Sequence, residues 1–283
     1  MDETTLRAVL RRYSDGELSD DEAVRELRYL PYADLGFARV DHHRELRLGL
    51  PEAVFGPGKS PEQVAAIVSS LLAGNQGAVI VTRATKAQYE AVAAVASEAV
   101  FDDASRLIVA RPQPPSGGPT VVVASAGTAD LAVAEESAAT LEALGVTVTR
   151  LYDVGVAGLH RLLAARDVLD GAAVVIGEAG MDGALASVIG GLVAAPVVAV
   201  PTSVGYGAGA AGIAPLLTML NACAPGVVVV NIDNGFGAAV FAAMLVRRPP
   251  GRPGAEAGGA GAPGLGPGRA RAPGTVEPGT VEP

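Results

Sequence analysis

The feature that most constrains this chain is a series of apolar, β-branched runs in its second half, each followed by a stretch with helical spacing. The runs are Val121–Ala124, Val146–Leu151, Ala172–Ile176, Val197–Val200 and Val227–Ile232. Apolar runs that alternate with helices predict a parallel sheet covered by helices on both faces, the arrangement of an α/β fold. In that architecture the functional loops follow the carboxyl ends of the strands, near the point where strand order reverses. The glycine-rich and polar segments of this sequence fall at such positions.

The rest of the chain is organised around this unit. Residues 111–119, RPQPPSGGP, hold four prolines and two glycines and read as a linker. Residues 1–110 before it form a smaller α/β region. Two short amphipathic helices, Thr5–Arg12 and Asp20–Leu30, open that region, with Ser19 and Asp20 as caps and Pro31 as the stop of the second. They suit an oligomerisation or lid element. Strand character follows at Gly36–His42, Gly77–Thr82 and Leu107–Ala110, and helical spacing at Pro61–Ala73 and Lys86–Val100. The main domain runs over 120–248. From residue 249 to 283 the chain is Gly, Pro, Ala and Arg with a tandem PGTVE, a composition expected to stay disordered because it buries too little apolar area.

Charge and cysteine usage narrow the function. With 21 Lys+Arg against 30 Asp+Glu, a formal charge of -9 disfavours a nucleic-acid partner. The single cysteine, Cys223, excludes an intramolecular disulfide and a cysteine-rich zinc site, and suits a cytoplasmic location. No early apolar run has signal-peptide length, and Ala184–Val204, broken by glycines and prolines, reads as a buried helix then strand rather than a membrane span.

Five segments carry candidate chemistry. Ser125-Ala-Gly-Thr-Ala-Asp130 offers hydroxyls, Gly127 and a helix start to a phosphate, with Ser125, Gly127, Thr128 and Asp130 as contacts; the alternative is a helix capped by Thr128 or Asp130. His160, at the start of the helix after Asp153–Gly158, is either a proton-transfer or phosphate group or a surface residue. Glu178 and Asp182 follow a fully apolar strand, where a carboxylate can act as general base; Asp182 can equally cap the next helix. Pro201–Gly209, with Thr202, Ser203 and Gly205, suits an anion site made from backbone amides, or a flexible connection. Cys223, beside an apolar helix, reads either as a small buried hydrophobe or as a nucleophile. The negative end of that helix does not favour a thiolate, so a cationic substrate such as a pyridinium ring would have to supply the charge.

In order, SAGTAD, DVGVAGLHRLL, GEAGMDGALASVIGGL, PTSVGYGAG, LNACAPG and NIDNGFGAA, with GFARVDHHRELRLG and FGPGKSPEQ before them, resemble the motifs of the LarB family. Its catalytic domain is similar to PurE, so the resemblance implies a three-layer, flavodoxin-like parallel sheet and an octamer. It implies carboxylation of nicotinic acid adenine dinucleotide at C5 of the pyridinium ring, with phosphoanhydride hydrolysis, to give pyridinium-3,5-biscarboxylic acid mononucleotide and AMP. This begins synthesis of the nickel-pincer nucleotide cofactor used by lactate racemase. Cys223 stands at the family cysteine that adds to C4 of the ring, and Asp182 at an acidic active-site position where the family pattern has glutamate. Ala186 departs similarly, from proline.

The expected co-substrate is carbon dioxide or bicarbonate, with Mg2+ as an aid to hydrolysis and no tightly bound cofactor. Arg83 and Lys59 are the charged candidates for phosphate contact from the first region. Two other functions fit the residues: carboxylation of aminoimidazole ribonucleotide, whose enamine carbon needs no thiol, and non-catalytic nucleotide binding.

Overall fold

A computed structural model of the chain describes residues 3–28 and 32–247. It opens with α1 (Glu3–Ser14) and α2 (Asp20–Arg28). Ser19 Oγ accepts the Glu22 amide while Glu22 Oε2 accepts the Ser19 amide at 2.9 Å, a reciprocal cap that starts α2. The expected stop at Pro31 and the tail from 249 to 283 lie outside the described residues.

A small ribbon of β1 (Ala33–Asp34) and β2 (Arg39–Val40) comes next, followed by α3 (Arg44–Leu48). Only Arg39–Val40 of the expected strand Gly36–His42 is extended and paired, because the chain turns at Gly36 and again at Asp41. A four-stranded sheet then forms from β3 (Ala53–Phe55), β4 (Val79–Thr82), β5 (Val100–Asp102) and β6 (Leu107–Ala110) in the order β3-β4-β6-β5. Its helices are α4 (Pro61–Gly74), with a Ser60–Gln63 capping box, and α5 (Lys86–Ala93), with a Thr85–Gln88 box. The helix expected over Lys86–Val100 is corrected here. It ends at Ala93, and Val100 instead starts an edge strand that brings Phe101 onto Tyr89, ring centroids 5.7 Å apart.

Residues 111–119 are held along their path from β6 onward. Arg111 donates to the Asn75 and Leu72 carbonyls at the end of α4 (2.5 and 2.6 Å), and the amides of Gln113 and Ser116 donate to Ala143 and Gly145. The main sheet follows: β7 (Thr120–Ser125), α6 (Leu131–Ala143), β8 (Thr147–Leu151), α7 (Leu159–Ala164), α8 (Arg166–Asp170) and β9 (Val174–Ala179). It is completed by α9 (Ala184–Leu192), β10 (Val197–Pro201), α10 (Ile213–Leu220), β11 (Val227–Val229) and α11 (Gly235–Val246). All five strands are parallel, in the order β11-β10-β9-β7-β8, and helices cover both faces, so the expected α/β fold with a smaller first α/β region is what the chain forms.

Small residues explain how the two sheets share one interior. Ala134, Ala138 and Leu141 recur on one face of α6 and meet Ala238, Ala239, Ala242 and Ala243 of α11. Leu50, Ala78, Ile80 and Leu107 of the first region belong to the same apolar cluster, and α6 packs on strands of both sheets. Among the described residues, no helix is long and apolar enough to cross a membrane.

Candidate functional site

Strand order reverses beside β7, whose neighbours are β8 on one side and β9 on the other. The loops leaving β7, β8, β9 and β10 converge at this point and enclose a cavity of about 960 Å³. Pockets of about 300–1,000 Å³ hold small ligands, which puts this one at the nucleotide-accommodating end. Apolar groups such as Val156, Met181, Leu185 and Val204 form much of its wall, and Ala214 and Thr218 of α10 close one side.

Asp130 fixes the loops to one another. Its side chain is buried, with Oδ2 accepting the Gly127 amide (2.9 Å) and Oδ1 accepting both the Gly180 amide (3.1 Å) and Thr202 Oγ1 (2.6 Å). Three loops are thereby tied to one carboxylate. Two glycines make the approach possible. A Cβ at Gly180 would stand 2.1 Å from the Val204 carbonyl oxygen, and one at Gly155 would stand 2.7 Å from that of Ala126. Both distances are far inside van der Waals contact, so only hydrogen fits.

Two charged features face the space these loops enclose. Asp182 is exposed on the wall, and its Oδ1 accepts the amide of Ala184, first residue of α9, at 3.1 Å. The capping reading holds, and the cap engages Oδ1. Arg161 is the one cation on the wall among the described residues, and it pairs with Asp153, also on the wall. An anionic substrate group can exchange with Asp153 for this guanidinium. Sequence reading passed over Arg161; the available signal was a cation in the first turn of the helix that follows a glycine-rich loop. Met181 (φ 54°) and Asp153 (φ 58°) both hold left-handed backbone at the rim, a strain common where side chains are aimed at a ligand.

The remaining candidates divide by position. Gly127, Thr128, Asp130 and Asp182 line the cavity. Asp130 is not free to bind a phosphate, because both its oxygens are engaged and its charge is of the wrong sign. Ser125 is fully buried behind the wall, with no partner for Oγ among the described residues. Thr202 is buried on Asp130, and Ser203 and Gly205 lie beside the wall without forming it. His160 is exposed and off the cavity.

Glu178 is corrected from loop to strand, because β9 continues three residues beyond Ile176. It is fully buried against Ser137 and does not reach the cavity. Arg83 and Lys59 are also corrected as phosphate contacts. Arg83 bridges Glu136 and the Asp233 carbonyl, while Lys59 Nζ donates to the Phe55 carbonyl at 2.8 Å; neither lines the cavity.

Cys223 departs from its reading as a small buried hydrophobe. It is exposed, not a buried hydrophobe, and it lies three residues past the end of α10 in the loop that returns to β11. The Gly226 carbonyl of that loop accepts the amide of Val197, first residue of β10, at 3.0 Å, which fixes the loop at the amino edge of the sheet. The last carbonyls of α10 are taken by the Asn221 side chain and the Asn221 and Ala222 amides. Cys223 does not line the cavity of its own chain, whose wall on α10 ends at Thr218.

Among the described residues no three His, Cys, Asp or Glu side chains converge as a metal centre would require.

Comparison with known proteins agrees with this two-part architecture. Residues 32–113 match the LarB/PurE-like N-terminal domain family and residues 120–249 match the AIR carboxylase family. The uncharacterized protein MJ0165 of Methanocaldococcus jannaschii is 37% identical over 258 residues, covering 86% of this chain and 97% of that protein.

Proposed function

Because the chain belongs to the LarB family, we propose that it is a carboxylase acting on the pyridinium ring of nicotinic acid adenine dinucleotide, forming pyridinium-3,5-biscarboxylic acid mononucleotide and AMP. The observation that carries this reading is the cavity at the strand-order reversal. It is large enough for a nucleotide and mostly apolar; of its three carboxylates Asp130 and Asp153 are engaged by partners, which leaves Asp182, and Arg161 is its guanidinium.

The chemistry follows from what a pyridinium ring lacks. Its carbons are electron-poor and do not attack carbon dioxide. Addition of a thiolate at C4 gives an enamine whose C5 is nucleophilic, and C5 then forms the new bond to carbon dioxide. A base must take the C5 proton so that the ring regains aromaticity and expels the thiolate, and Asp182 is the base in this reading. Arg161 pairs with a phosphate or carboxylate of the substrate. Water completes cleavage of the phosphoanhydride, and AMP leaves.

Cys223 is the chain's one thiol, and it stands at the amino edge of the sheet while the cavity opens at the carboxyl edge. A five-residue strand such as β10 is about 16 Å long. The thiol that serves a given cavity therefore comes from a second copy of the chain, which accords with the octamer implied by the resemblance to PurE.

The test is to incubate the protein with nicotinic acid adenine dinucleotide, labelled bicarbonate and Mg2+. The expected result is a labelled dicarboxylate mononucleotide together with AMP; absence of both with folded protein overturns the proposal. The AIR carboxylase match favours one second reading, carboxylation of aminoimidazole ribonucleotide, and a parallel incubation with that substrate decides between them.

A further inference from the structure

Arg83 belongs to the first α/β region, yet its side chain ends in the second. It follows β4 with left-handed backbone (φ 51°), an unfavourable conformation for a non-glycine residue that must be held by the contacts it permits. Its Nε lies 3.4 Å from Glu136 Oε1 on α6, and its Nη2 donates to the Asp233 carbonyl. Asp233 is itself left-handed (φ 54°) and is tied to the segment that leaves β10: its amide donates to the Pro201 carbonyl (2.9 Å) and its Oδ1 accepts the Ser203 amide (2.7 Å). Between those two contacts Thr202 donates to Asp130, and directly after them Val204 and Tyr206–Gly209 form the cavity wall.

We propose that Arg83 is a positioning residue that holds this wall in its binding shape by fixing the Asp233 peptide, and through it Ser203. The first α/β region thus contributes to the site without touching the ligand. The inference rests on the cavity being the substrate site, but the hydrogen bonds that carry it are made within the chain itself.

Glu136 supplies the competing explanation. It is buried, its Oε2 accepts the Phe236 amide at 3.3 Å, and removal of Arg83 would leave its carboxylate without a cation. Any effect of Arg83 could then be one of charge neutralisation alone. The double variant Arg83→Met/Glu136→Gln separates the two, since it removes the guanidinium and the buried charge together.

Amide hydrogen exchange on the full-length, ligand-free double variant is the deciding measurement. Loss of one hydrogen bond to the segment should speed exchange over residues 203–209 about fivefold, with α6 unchanged. The KM for nicotinic acid adenine dinucleotide should rise more than kcat falls. Wild-type exchange over 203–209 in the double variant overturns the proposal, as does faster exchange spread equally over α6 and α11. Absence of any carboxylation would count against the function above and leave the exchange result to judge Arg83.

Discussion

Glu178 presents a proton-counting problem that its surroundings solve. Ser137 Oγ lies 2.5 Å from Glu178 Oε1 and 3.1 Å from the Gly235 carbonyl, but a serine hydroxyl has one proton to donate. If Ser137 donates to Gly235, Glu178 must be the donor to Ser137, and therefore protonated. Burial pushes this carboxyl well above the ordinary value of 4.5; the Ser137 contact opposes the shift, and the nearby charges of Asp130 and Glu136 add to it. Oε2 has no partner among the described residues, as has Ser125 Oγ at the facing position of β7, and a neutral oxygen bears that isolation at lower cost than a charged one. A carboxyl whose folded pKa is raised contributes stability that is full below its unfolded value and lost as pH rises through the folded value. Glu178→Gln keeps the neutral donor and removes the titration. Denaturant unfolding at a series of pH values should show the wild type losing stability relative to this variant above about pH 4.5. Parallel profiles would show that Glu178 is not held neutral.

At the scale of elements, the site depends on loops that approach more closely than side chains allow. Gly180→Ala places a methyl group against the Val204 carbonyl, with Thr202 Oγ1, itself held by Asp130, as the other close neighbour. The expected cost is on the order of 3 kcal/mol, and the hydrogen bond from the Gly180 amide to Asp130 is the first to break. Thermal unfolding and ligand binding check this together, and a variant with wild-type melting and affinity would contradict the packing described. The long elements of the main sheet were legible in sequence because runs such as Val121–Val123 and Val197–Val200 combine β-branching with burial on both faces. Strands of two or three residues, such as β1, β3 and β5, carry no period to detect. Glu178 misled for the opposite reason: Gly-Glu-Ala has the composition of a loop, and only the tertiary partners Ser137 and β7 show that it continues a buried strand. Arg83 carried a misleading signal too, because a cation after a strand suggests a phosphate ligand until its partners on α6 and the β11–α11 loop are known.

At the scale of the whole molecule, the edge of the main sheet is apolar where it meets solvent. Leu217 and Leu220 of α10 and Val228 of the edge strand β11 are exposed there, and Leu220 stands three residues before Cys223. An apolar surface of this kind beside a strand edge suits association with further copies of the chain. The βα alternation already assigns a residue after a helix to the amino edge of the sheet, so the separation of Cys223 from the carboxyl-edge loops was readable from sequence. In the proposed mechanism each site joins the cavity of one copy to the thiol of another. Mixing Cys223→Ser with Asp182→Asn under conditions that allow subunit exchange tests it directly. Each variant alone should retain less than about 1% of wild-type carboxylation. Random mixing should restore roughly a quarter of it, since one cavity in four then pairs an intact Asp182 with an intact Cys223. No recovery, with exchange confirmed by mass measurement, would place thiol and carboxylate in the same chain's site and contradict the account.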